Sequence, residues 1–129
     1  MDVNKITSKI IEAAIIVHNE LGPGLLESVY EKCLAEVLYE MGFIVETQKS
    51  LPVVFRGKEI DMNFKIDLLV NEEVIVELKA VESILPIHEA QLFTYLKLSG
   101  KNVGLLINFN VKLLKSGIKR VVLDFSKPY

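Results

Sequence analysis

One cysteine, Cys33, and two histidines are all the thiol and imidazole that 129 residues offer. A lone thiol forms no internal disulfide and builds no thiolate metal site by itself. Long apolar runs are missing too. Stretches such as Val103–Ile107 last a handful of residues, far short of a bilayer span. Met1-Asp2-Val3-Asn4-Lys5 lacks the basic-then-apolar pattern of a secretory leader. The expectation is a soluble, intracellular, cytoplasmic chain with no membrane partner. Repeats, low-complexity tracts and linkers are also missing, so residues 1–129 read as a single domain.

No large excess of basic charge is present. The formal net charge is −2, which argues against a protein that coats nucleic acid by electrostatics alone. The distribution is uneven, however. Residues 97–129 carry seven basic side chains against Asp124 alone, while residues 1–96 carry eight against sixteen acidic ones. The basic C-terminal third is either a phosphate-facing surface or a solvated strand-and-loop face. Half of the residues are hydrophobic. That content excludes a disordered chain, and a mean hydropathy of +0.35 hints at an apolar interface, for which a homodimer is one option.

Apolar residues Ile6, Ile10, Ala13, Val17 and Leu21 recur at helical spacing, and Gly22-Pro23-Gly24 ends that helix. A second helix is predicted from Leu26 to Met41, with Gly42 as its stop. The period then changes. Strands are predicted at 43–48, 51–55, 59–70 and 74–80, a third helix from Pro86 to Leu98, and final strands at 103–108 and 118–125. The order, two helices, strands, a helix and two strands, gives an α/β (α+β) fold with helices against one mixed sheet.

The hairpin around Asn71-Glu72-Glu73 carries the chemistry. A three-residue turn pairs Val70 with Val74 and, counted outward, sets Asp67 opposite Glu77. Alternation puts Phe64, Ile66, Leu68, Val70, Val74, Val76, Leu78 and Ala80 on one apolar, buried face, and Lys65, Asp67, Glu77 and Lys79 on the other. Opposed carboxylates repel. A divalent cation relieves that repulsion, and hard oxygen donors suit Mg²⁺ or Mn²⁺. Lys79 falls on the same face, where an ammonium orients a water or stabilises charge on phosphorus. The alternative is an exposed hairpin with solvated charges.

Two helices add further candidates. Glu27 and Tyr30 lie three residues apart on the second helix, where a carboxylate at the start also favours the helix dipole. Gln91 and Tyr95 lie four apart on the third, with His88 one turn earlier. Packing or surface roles are open for both, and His18 has the simple alternative of a hydrogen-bonded residue at the end of the first helix.

The run from Val17 to Tyr30, with His18, Gly24, Glu27 and Tyr30, resembles the GxxExxY family, which is placed in the PD-(D/E)XK nuclease superfamily; the resemblance covers nearly the whole chain. It implies a restriction-endonuclease-like core and metal-binding acids Asp67 and Glu77, with the Leu78 carbonyl as a further ligand. Lys79 becomes the catalytic lysine and Glu27 the acidic residue of the first core helix. Gln91 with Tyr95 resembles the Q-x-x-x-Y element that supports the site and contacts DNA, and His18 matches the histidine before the glycine-rich loop. Ile66, not proline, precedes Asp67, a departure of little weight because that proline is often absent from the superfamily. The leading expectation is a Mg²⁺- or Mn²⁺-dependent nuclease that hydrolyses DNA phosphodiester bonds by metal-activated water. The alternative is a catalytically silent, dimeric interaction module on the same fold. A third reading, hydrolysis of a small phosphate ester, lacks a nucleotide loop, since Gly22-Pro23-Gly24 has no P-loop lysine.

Overall fold

Asp2 opens the first helix, because its carboxylate accepts the backbone amides of Asn4 at 2.7 Å and Lys5 at 3.4 Å. Helix α1 runs from Val3 to Leu21, and α2 from Glu27 to Glu40. The computed structural model describes residues 1–128, apart from the side chains of residues 61–63. Strands β1 (Val45–Phe55), β2 (Lys58–Val70) and β3 (Val74–Lys79) follow. Then come α3 (Pro86–Ser99), β4 (Val103–Asn108), a 3-10 turn at Leu114–Gly117 and β5 (Ile118–Val122). Pro86 begins α3, and His88 helps to cap it, its Nδ1 accepting the Leu85 amide at 3.0 Å. The segments expected as two strands at 43–48 and 51–55 form one continuous β1, whose register shifts at Pro52, a residue with no amide to give to the ladder.

The sheet order is β1-β2-β3-β4-β5, antiparallel except for the parallel pair β3–β4. A parallel pair needs a crossover, and α3 supplies it. Helices therefore cover both faces. On one side α1 and α2 pack Ile6, Ile10, Tyr30, Leu34 and Leu38 against Leu68, Val76, Leu78 and Ile107. On the other, Leu92, Tyr95 and Leu96 of α3 pack against Ile66, Leu69, Ile75 and Leu106. Central strands buried on both faces read as near-continuous apolar runs, as β3 and β4 do.

This corrects the expected division of the hairpin into a buried and an exposed face. Ile66 belongs to the α3 side and Leu68 to the α1–α2 side, so alternation breaks between them. The break lies at Asp67, opposite Gln48, whose φ of 50° disturbs the pleat of β1 without ending the strand. Phe64 is not in the core; it is 39% exposed.

Two glycines mark close approaches. A Cβ on Gly117 would sit 2.4 Å from the Asn108 carbonyl oxygen, whereas one on Gly104 would sit 2.8 Å from the end of the Leu92 side chain. Backbone yields less readily than a leucine methyl. Gly117→Ala is expected to destabilise by about 1–3 kcal/mol, and Gly104→Ala by less, measured as urea midpoints.

Candidate active site

The β2–β3 ladder runs Val70↔Val74, Leu69↔Ile75 and Leu68↔Val76, the register expected from a three-residue turn. Beyond Leu68 the strands part. Side chains then take over from the ladder: the Asp67 amide donates to Glu77 Oε2 at 2.8 Å, and the Leu78 amide donates to Asp67 Oδ2 at 2.9 Å. Each acid is thus held by the other's strand. Asp67 is also reached by Gln48, whose Nε2 donates to Asp67 Oδ1 at 3.3 Å and to Glu31 Oε1 at 2.5 Å. The left-handed turn at Gln48 is part of the break that directs both side chains into this corner.

A hollow of about 320 Å³ opens here, lined by Glu27, Ser28, Glu31, Gln48, Asp67 and Leu78. Glu27 and Glu31 come from the first two turns of α2. Glu77 lies deeper, 6% exposed. Burial, reinforced by the charge of Asp67, pushes the Glu77 carboxyl up to about 8, although the nearby Lys79 ammonium pulls the other way. Glu31 is raised as well, first by burial and then by Asp67 and Glu27, with the Gln48 hydrogen bond opposing. On the α3 side, burial and the charges of Glu77 and Asp67 raise the Tyr95 hydroxyl, which Gln91 hydrogen-bonds. The structure therefore gathers Asp67, Glu77, Leu78, Lys79, Glu27, Gln91 and Tyr95 around the end of β3.

Two of the sequence candidates lie elsewhere. His18 is buried at the end of α1, with Nε2 2.7 Å from the Val111 carbonyl oxygen and its ring 6.4 Å from Phe109. It ties α1 to the segment after β4. Tyr30 is fully buried and stacks on Phe109 at 4.4 Å. Its hydroxyl donates to the Gly22 carbonyl at 2.6 Å and accepts the Leu25 amide at 3.1 Å. Tyr30 thus fixes the glycine loop that launches α2, and through it the placement of Glu27 and Glu31. The spacing that put Glu27 and Tyr30 on one helix face leaves Glu27 at the rim and Tyr30 in the core.

Sequence reading missed Glu31, Gln48 and Asn108. Asn108 is 1% exposed and pairs with Lys79 across β3–β4. Its Oδ1 accepts the amides of Val81 and Asn110, each at 3.1 Å, and its Nδ2 donates to the Val81 carbonyl at 2.9 Å. The chain is clamped just past Lys79. The available signal was an asparagine closing a run of apolar strand residues.

Among the described residues, no three His, Cys, Asp or Glu side chains converge as a ready-made metal cage. The donors present are nevertheless all oxygen, and a buried acid beside a second carboxylate is a pair that a cation would stabilise. The residues fit a hard divalent ion. A sequence model described as PD-(D/E)XK nuclease superfamily matches residues 4–121. No curated protein and no solved structure matches the chain. The mixed sheet with three helices agrees with the restriction-endonuclease-like fold of that superfamily, and no helix among the described residues is long and apolar enough to cross a membrane. With the match covering nearly all of the chain, this protein belongs to the PD-(D/E)XK nuclease superfamily.

Proposed function

We propose that the chain is a divalent-metal-dependent nuclease of the GxxExxY branch that hydrolyses DNA phosphodiester bonds. The observation that carries this is the exchange between Asp67 and Glu77, which fixes two carboxylates beside Lys79 where β2 leaves β3. Asp67, Glu77 and the Leu78 carbonyl would hold Mg²⁺ or Mn²⁺, with Glu27 or Glu31 completing the set from α2. Such an ion supplies Lewis-acid stabilisation of phosphoryl oxygens and makes water a better nucleophile. Lys79 orients the attacking water and offsets charge growing on the phosphate. Gln91 and Tyr95 hold the strand from the α3 side. Asn108 keeps Lys79 in place.

The test is cleavage of plasmid and single-stranded DNA with Mg²⁺ or Mn²⁺. Wild type is expected to cut, and Asp67→Ala, still folded by circular dichroism, to lose cutting to background. Unchanged cutting by the variant would overturn the assignment. A second reading, a silent interaction module, is favoured by the lack of a preformed three-ligand cage among the described residues. Absence of cleavage with either ion would leave that reading in front.

A further inference from the structure

A second concavity, about 490 Å³, runs along α3 beside the acids, and its chemistry is opposite in kind. Phe64, Ile87, Leu98 and Tyr95 give it an apolar floor, while Gln91, Thr94 and His88 add an amide, a hydroxyl and an imidazole; among the described residues no carboxylate lines it. Phe64 is 39% exposed, because β3 pairs with β2 only up to Leu68 and leaves the ring uncovered. Its ring lies 6.4 Å from that of Tyr95, tilted by 52°. Tyr95 belongs to both places, since it lines the groove and lies within the field of Glu77 and Asp67. Beside Phe64 in sequence, Lys65 is exposed.

We infer that this groove receives an unpaired base of the substrate strand, stacked on Phe64, so that the protein acts on single-stranded rather than paired nucleic acid. The inference deepens the nuclease reading and rests on it, because that reading sets the neighbouring phosphate at the acids. A phosphodiester at Asp67, Glu77 and Lys79 must carry its bases somewhere. The described lining of the groove next to the acids is mostly apolar, with a few hydrogen-bonding groups and no lysine or arginine, which matches a nucleobase better than a phosphate. A base in a duplex would have to leave its partner to enter. Aromatic platforms take bases with little regard to sequence, which suits a small chain with limited surface for readout.

The experiment measures binding of a fluorescein-labelled twelve-residue deoxythymidine strand and of a twelve-base-pair duplex to the full chain, with Ca²⁺ replacing Mg²⁺. Phe64→Ala is expected to weaken single-strand binding about 5- to 150-fold and to change duplex binding less than about twofold. Phe64→Trp is expected to retain binding; the chain has no other tryptophan, so its emission should be quenched as a base stacks. Equal single-strand affinity for wild type and Phe64→Ala, equal losses on both ligands, or no binding of the strand by wild type would each overturn the inference. Cleavage separates the two claims. Phe64-dependent binding without cleavage by wild type would sink the nuclease reading alone, whereas duplex cut by wild type as fast as single strand, or single strand cut equally by wild type and Phe64→Ala, would sink the base groove alone.

Discussion

Lys79→Ala is expected to lower the cleavage rate about 10²–10³-fold, the usual cost of removing one preorganised charge from a reacting centre, while leaving the ion bound. Lys79 is placed by backbone on two sides: its carbonyl accepts the Phe109 amide at 2.9 Å, and its strand partner Asn108 clamps Val81. Its side chain is half-buried at the open end of β3, beside Glu77. Truncation removes the ammonium without disturbing the acids, whose hydrogen bonds run through Asp67, Glu77 and Leu78. Mn²⁺ should therefore still raise the melting temperature of the variant. The loss of Lys79 also removes a charge that favours ionised Glu77, so ion binding should move to higher pH. Rates of Mn²⁺-dependent cleavage of single-stranded DNA, measured beside thermal shifts over pH 6–9, check this. A rate within tenfold of wild type would deny Lys79 its role.

Local register was legible because it depends on counting. Asn71-Glu72-Glu73 is a short polar interruption between apolar runs, and the pairing of Val70 with Val74 follows from it. Helix starts at Pro86 and stops at Gly22 and Gly100 were legible because those residues limit or free the backbone in known ways. The face change at Asp67 was not. Alternation assumes an uninterrupted pleat, and the interruption comes from Gln48, a residue with no special preference for the left-handed region. Nothing in a single sequence brings Gln48 to Asp67 across nineteen positions; the β1–β2 pairing does that. Glu31 was hidden for the same reason.

The G-x-x-E-x-x-Y run shows how one motif can mix site and scaffold. Gly24 has φ of 96°, Glu27 reaches the rim of the hollow, and Tyr30 turns inward to hold the loop carbonyl and amide. Spacing on a helix places residues on adjacent parts of its surface, but packing decides which part is buried. His18 shows the same division, its ring spent on the Val111 carbonyl.

Glu77→Gln should raise the stability of the metal-free protein at pH 8 and abolish its response to metal. Glu77 has a pKa of about 8 in the folded protein against 4.5 for the unperturbed group. Below pH 4.5 the group is neutral in both states and costs nothing. Between pH 4.5 and 8 the unfolded chain ionises while the fold keeps its proton, so stability falls by about 1.4 kcal/mol per pH unit. Above pH 8 the penalty levels off, on the order of 5 kcal/mol. Glutamine carries no charge at any of these pH values, and its carbonyl can still accept the Asp67 amide. The variant should lose that slope and gain several kcal/mol at pH 8, read as a melting temperature higher by about 3–5 °C per kcal/mol. With Mn²⁺ at one hundred times its dissociation constant, wild type should gain about 2.7 kcal/mol and release a proton near neutral pH, and the variant should gain nothing. Urea unfolding across pH 4–9, with and without Mn²⁺, reads both effects in one series. An unchanged pH slope in Glu77→Gln would mean that Glu77 is ionised in the fold, and a preserved Mn²⁺ response would move the ion away from this carboxylate. The opposite signs are the telling part: a residue kept only for packing would not weaken the metal-free fold, and a surface charge would not respond to both tests.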